Sequence, residues 1–253
     1  MPRGRLEGIL TLTSSWTCSA TNGSGGPSTC TVAAGSYTVT ELCTALQTAL
    51  NAGRPSGWTV TRSFGESGTG LVTINCSSTP WAITWTTAEL GQQVGHTVIG
   101  SRSSSLASTS AVIGLWLPDC PYWSPFDQGD TGAVVTDLHQ TVSPTGVVKT
   151  LYGNQYTMQR GIRWEAVSKA RVRSYNASST LAAFEQWWQA VHLGEGYTAF
   201  TAGSPIAFYP TADSDSYTSY KLMDLGTFEP AQTAQGWVGL FRVELPRMIK
   251  VPS

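Results

Sequence analysis

Apolar and polar positions alternate with period two over Gly8–Thr17, where Thr11 and Thr13 separate Leu10 from Leu12, and the pattern predicts a strand with one buried face. After Ser36 the period lengthens. Leu42, Ala45, Leu46, Ala49 and Leu50 recur at helical spacing behind Thr40, which the pattern places as N-cap. Trp58, Val60 and Arg62 then alternate with threonines, GESGTG predicts a Gly-rich turn, and LVTINC and WAITW predict two further strands before a short helix or turn near Leu90–Gly95. The stretch 34–96 thus reads as a compact α+β unit. It carries no nucleophile motif, metal spacing or phosphate cradle.

Gly100–Ser110 is a polar run of small residues and the best linker in the chain, which predicts an α+β module over 1–102, a linker over 103–110 and a second domain over 111–253. The second domain opens with AVIGLWLP and an aromatic, Pro-rich loop. AVVTDLHQTVSP, VVKTLYG and YTMQRGIRWEAVSKARVRSYN follow as strand-like segments, the last long enough to project from a sheet or bend at Gly161. LAAFEQWWQAVHLG is the clearest helix, with Leu181, Phe184, Trp188 and Val191 on one face and Gly194 as C-terminal cap. In the closing strand Trp237, Gly239, Phe241, Val243 and Leu245 alternate with a half-apolar opposite face, so it is expected to be central or covered by another subunit. The fold class is therefore α+β and mainly β, with a β-sandwich or tube-like second domain bearing one amphipathic helix.

Charge narrows the function classes. Asp, Glu, Lys and Arg make up 12% of the chain, about half the usual ~25%, and the formal net charge is -1. Such a chain has no field to steer it to nucleic acid or an anionic membrane. Low charge with ten tryptophans suits a β-rich protein with surface buried against partners. MPRGRLEGILTL is no apolar leader, and no run nears the ~18 apolar residues of a membrane span, so cytoplasmic synthesis is expected. The five cysteines (Cys18, Cys30, Cys43, Cys76, Cys120) show no zinc spacing, although Cys18 and Cys30 flank a turn-forming loop and would face each other across a hairpin.

Candidate chemistry is sparse. Asp137 and His139 share a strand face, and with a serine they would sketch a hydrolase triad, but no GxSxG elbow fixes a nucleophile. The acidic sets Asp119, Asp127, Asp130 and Asp213, Asp215, Asp224 lack a calcium-loop pattern. No catalytic, cofactor or metal residues are therefore assigned. Two kinds of contact residue are: the aromatics Trp81, Trp85, Trp116, Tyr122 and Trp123, as a platform for sugar rings or a partner, and Lys169, Arg171 and Arg173, alternating along a strand with Trp237 and Phe241 at an interface or lumen.

The pattern SYTVTELCTALQTALN, GWTVTRS, GLVTINC, WAITWT and ELGQQVG resembles a module of virion proteins in DNA viruses and tailed phages. That module has a G-x-Y-T-x-x-E-L passage from strand to helix; its closing turn is represented here by Leu90-Gly91 and Val94-Gly95 without the usual aromatic. The second domain is similar in its order of elements to tail-tube and distal-tail proteins of tailed phages, in FEQWWQAVHLGEGYTAF and the late FRVELP strand. The resemblance implies a non-enzymatic virion subunit that self-assembles into a ring, commonly a hexamer. Its other partners would be tube, hub and fibre proteins, DNA would pass through the lumen transiently, and there would be no cofactor and no membrane. A glycan- or receptor-binding module and a capsid or connector accessory protein are the alternatives.

Overall fold

The computed structural model describes residues 4–23, 25–53, 57–65, 68–96, 99–108, 112–117, 133–142, 148–168, 184–194, 199–222, 227–230 and 240–250, and for 133–142, 148–168, 227–230 and 240–250 the backbone course. The first part of the chain forms β1 (Arg5–Leu12), β2 (Trp16–Asn22), β3 (Ser28–Val32), β4 (Gly35–Thr38), α1 (Val39–Gly53), β5 (Trp58–Arg62), β6 (Val72–Cys76), β7 (Trp81–Trp85), α2 (Ala88–Gln93), β8 (Ile99–Arg102) and β9 (Leu106–Ala107). There follow β10 (Leu115–Trp116), β11 (Ala133–Val142), β12 (Val148–Ser168), α3 (Phe184–Trp187, continued by a π-helical turn over Trp188–Leu193), β13 (Ile206–Tyr209), β14 (Thr218–Leu222), β15 (Thr227–Pro230) and β16 (Leu240–Lys250). The protein is mainly β with a few helices, in agreement with the expected α+β class.

Three sheets share these strands. The largest is nine-stranded, in the order β10-β1-β13-β14-β16-β12-β11, with β15 added on β16 and β4 on β1. A four-stranded sheet runs β3-β2-β7-β8, and a three-stranded one β5-β6-β9. β9 lies inside the segment that reads as a linker. It pairs with β6, and Ser108 just beyond it exchanges Ser108 N–H to Val72 O (2.8 Å) and Val72 N–H to Ser108 Oγ (3.1 Å).

β1 departs from its expected form. It starts at Arg5 and is buried on both faces rather than one. Each face has its own cover: Leu6 and Leu10 join Leu42, Val191 and Phe200 in the core, while Arg5, Glu7 and Ile9 meet Thr40 and Tyr209. Along its edges Arg5–Gly8 pair with β13, Leu6 and Glu7 also with β10, and Ile9–Leu12 with β4. Strands from both sides of the predicted linker thus meet on β1. One hydrophobic core likewise joins Leu6 and Leu10 to Leu42, Leu46 and Leu50 of α1 and to Trp187, Val191 and Phe208.

α1 begins two residues earlier than predicted. Thr38, not Thr40, is the cap: Glu41 N–H donates to Thr38 Oγ1 (3.2 Å) and Thr38 N–H to Glu41 Oε2 (2.8 Å), a reciprocal capping box. In the later helix Val191 of the expected face is buried, as are Trp187 and Ala190, whereas Trp188 is half-buried with its ring tilted against His192 at 4.3 Å. Leu181 lies outside the described residues, and Phe184 is described by its backbone. The π-helical turn from Trp188 onward shifts the stripe away from a straight α-helical face. Gly194 closes the helix at φ 70, as predicted for its C-terminal cap.

β16 is central, paired with β12, β14 and β15. Its register against β12 slips between Arg160/Ile162 and again between Trp164/Val167. The first slip falls beside Gly161 and opposite Pro246, which has no N–H to give the ladder.

Candidate functional site

Arg5 and Glu7 occupy alternate positions of β1 and therefore share a face. Arg5 Nε donates to Glu7 Oε1 at 2.8 Å, and the two side chains are 4% and 0% exposed. Removing both ions from water costs several kcal/mol each, so such a pair persists only where further polar partners offset the loss. They are present. Thr40 donates its backbone N–H to Glu7 Oε2 at 2.8 Å and its hydroxyl to Oε1 at 2.7 Å. Arg5 donates to the Ala212 carbonyl and lies 3.7 Å over the Tyr209 ring, a cation–π contact. A carboxylate from a distant strand thereby occupies the positive end of α1.

The capping box ties into the same cluster. Tyr209 O–H donates to Thr38 Oγ1 at 3.2 Å, and Tyr217 O–H to Glu41 Oε1 at 3.2 Å. Burial, then the Glu7 charge, pushes the Tyr209 phenol up to about 12. Burial and the Glu41 carboxylate push Tyr217 up as well. Both phenols therefore remain hydrogen-bond donors across the neutral range. This cluster joins β1, α1 and β13 and fixes how the first third of the chain meets the last.

A small polar cleft of about 160 Å³ opens beside it between Arg62, Gly65, Asp213 and Asp215, and runs into a groove of about 640 Å³ along the outer face of α1. Arg62 spans the junction, donating to Thr40 O (2.6 Å) and Thr44 Oγ1 (3.2 Å). The groove hydroxyls are engaged: Thr44 donates to Thr40 O, and Thr48 to Thr44 O. Among the described residues, no group of three or more His, Cys, Asp or Glu converges to hold a metal ion.

The sheet edges are treated unequally. β5 ends the three-stranded sheet, yet its outer backbone groups are satisfied by α1: Trp58 N–H donates to Asn51 Oδ1 (3.1 Å), Asn51 Nδ2 to Trp58 O (3.0 Å), and Val60 N–H to Gln47 Oε1 (2.8 Å). Two amides one helical turn apart thus close that edge to an incoming strand. β11 and β12 form the opposite case. They pair from Ala133↔Gln159 to Val142↔Val148, whereas β16 joins β12 only from Gln159 onward. The segments 134–142 and 148–158 are therefore a two-stranded ribbon running past the sheet. Neither outer edge has a partner among the described residues.

Trp81 and Trp116, expected as surface aromatics, are 0% exposed. Trp81 packs edge-on to Trp58 at 5.5 Å, and Trp116 lies 6.1 Å from Trp187. Neither offers a face to a ligand, because alternation on a covered strand turns the large side chain inward. Trp85 is half-buried against the same core. Tyr122, Trp123, Lys169, Arg171, Arg173 and Trp237 lie outside the described residues, as do Asp119, Asp127, Asp130 and Asp224. Phe241 lies in β16 opposite Val167, where the backbone alone is described. Asp137 and His139 fall in β11, with the ladder irregular between Thr136 and Leu138. Asp213 and Asp215 are exposed at the cleft rim. The Arg5–Glu7 pair was not anticipated, although opposite charges two apart in an otherwise apolar strand are a readable sign of a shared buried face.

Comparisons with protein-family models, with curated proteins and with solved structures found no match.

Proposed function

We propose that this chain is a structural subunit of a tailed-phage virion, self-assembling into a ring at the tail tube or distal tail and docking tube, hub and fibre proteins there. The observation that carries the reading is the β11–β12 ribbon. A two-stranded ribbon standing alone in water is marginal, and its unpaired edges are templates for another strand. At ~3.3 Å per residue, the ten-residue β11 reaches roughly 33 Å. The closed edge of β5 sharpens the contrast, since the same chain devotes Gln47 and Asn51 to blocking strand addition there. Strand addition between copies would pair the ribbon and repeat around a ring. A hexamer with DNA passing through its lumen is the form that the resemblance implies.

The G-x-Y-T-x-x-E-L likeness has a physical content that fits this reading. Its threonine and glutamate are Thr38 and Glu41, the reciprocal cap of α1, so the motif encodes a rigid passage from strand to helix and no chemistry.

Light scattering across a concentration series, with negative-stain images of the same samples, tests the proposal. Closed rings are expected from the full chain. A variant with 134–158 replaced by a short Gly-Ser turn is expected to remain monomeric with an intact unfolding transition. A full chain that stays monomeric at every concentration, or a ribbonless variant that still forms rings, overturns assembly through the ribbon.

A further inference from the structure

Cys18 and Cys30 stand directly opposite each other on β2 and β3. Directly opposed residues in an antiparallel pair have Cα atoms about 4.5 or 5.5 Å apart, depending on position in the ladder. Both values lie within the roughly 4.4–6.8 Å that a disulfide spans. Their side chains share a face, and the Cys30 thiol donates to the Ser28 carbonyl at 3.7 Å. Both are buried, at 0% and 2% exposure. Space is made for them: a Cβ on Gly53, the last residue of α1, would stand 2.9 Å from Cys30 Sγ.

We propose that Cys18 and Cys30 are a redox pair that closes to a disulfide on exposure to a peroxide, stapling β2 to β3 beneath the end of α1. Two thiols and one hydrogen peroxide give one disulfide and two waters. Cys30 as thiolate attacks the peroxide oxygen, breaking the O–O bond and leaving a sulfenic acid. Cys18 then attacks that sulfur, and the hydroxyl leaves with a proton as water. Cys30 goes first because it sits on the terminal strand β3, while Cys18 lies on the inner strand β2; interaction with the Cys18 thiol also lowers that of Cys30, whereas the same interaction and burial raise that of Cys18. Burial pushes Cys43 up to about 12 and keeps it a spectator. β3 is the terminal strand of its sheet among the described residues, so opening of one edge strand is enough to admit a small oxidant. This pairing stands apart from the assembly reading and does not depend on it.

The test uses the full chain, reduced and then exposed to hydrogen peroxide, followed by alkylation under denaturing conditions and peptide mapping without reductant. The expected result is a loss of two of the five alkylatable thiols, a single cross-linked species joining the Cys18 and Cys30 peptides, and a rise in Tm reversed by dithiothreitol. A Cys43→Ser variant should keep the cross-link, whereas Cys30→Ser should lose both it and the rise in Tm. If Cys30→Ser does not fold, the map of the unmodified chain decides alone. Five thiols remaining, sulfinic acid at Cys30 without a cross-link, or bridging to Cys43 or Cys76 would each overturn the proposal.

Discussion

The carboxylate of Glu7 accepts the backbone N–H of Thr40 at 2.8 Å, from a strand 33 residues earlier in the chain. Removing that carboxylate leaves Arg5 buried without its counter-charge and the first turn of α1 without its distant acceptor. Breaking one side of a buried pair costs about 3–5 kcal/mol. Glu7→Ala should therefore lower the unfolding free energy by that amount, read as a lower urea midpoint with the slope unchanged, and Glu7→Gln, which keeps an acceptor for Thr40, should lower it less. Equal midpoints for the native chain and Glu7→Ala would refute the role given to this pair.

Thr38→Ala removes the cap hydroxyl that Glu41 N–H and Tyr209 O–H both use. Loss of an N-cap hydroxyl costs about 1 kcal/mol, within a range of roughly 0.5–2. Thr38→Ser should be nearly neutral, and Thr40→Ser should also be tolerated because it keeps the hydroxyl that reaches Glu7. Thermal or urea unfolding of the three variants gives the ranking.

Asn51 makes three amide contacts, with Gln47 O, Trp58 O and Trp58 N–H, and two of them close the β5 edge. Net worth per hydrogen bond is about 0.5–1.5 kcal/mol, so loss of the two that reach Trp58 alone should destabilise Asn51→Ala by about 1–3 kcal/mol. The more telling readout is colloidal. An opened strand edge should raise the rate of aggregation, measured by turbidity on mild heating, beyond that of an equally destabilised core variant such as Val60→Ala.

His96 is 3% exposed, with Nε2 at 3.0 Å from the Val72 carbonyl, and burial holds its imidazole below the ordinary 6.5. The unfolded chain takes up a proton below about pH 6.5 that folded His96 resists, so its contribution is fully present above that pH. Stability then falls as pH drops from 6.5 toward the lowered folded value. Burial and, secondarily, Lys221 depress His192 in the same direction. His96→Gln should flatten part of the decline in Tm between pH 7 and 5, and an unchanged profile would show that His96 does not drive it.

Much of the local structure was legible. The threonine-spaced strands, α1 and the Gly194 cap follow from short-range periodicity, which needs no knowledge of neighbours. The α1 cap lies ahead of the first repeated leucine, so leucine spacing alone points to Thr40, whereas the T-x-x-E signature of Thr38 and Glu41 marks the true start with Val39 already helical. What could not be read depended on distant partners. β1 looks half-exposed until α1, Val191 and Phe200 cover one face and Thr40 and Tyr209 the other, and a tryptophan in an alternating strand serves a core or a surface equally well. Trp81 and Trp116 were settled by what lies opposite them. The Arg5–Glu7 pair belongs to both classes, visible as charges in an apolar run but without its meaning until Thr40, Tyr209 and Ala212 surround it.

That last contact has a consequence for how the chain is made. Arg5 reaches Ala212 across 207 residues, and β1 is held on one side by β13. On a ribosome adding roughly 5–20 residues each second, β1 waits on the order of ten seconds or more for β13 to be synthesised. During that interval a strand destined to be buried on both faces, with a charged pair inside it, has nothing on its β13 side. Such long-range pairing slows folding and leaves an aggregation-prone edge. Expression at lower temperature or with a chaperone that shields strands should raise the yield of folded chain through this early strand more than through any contact made later.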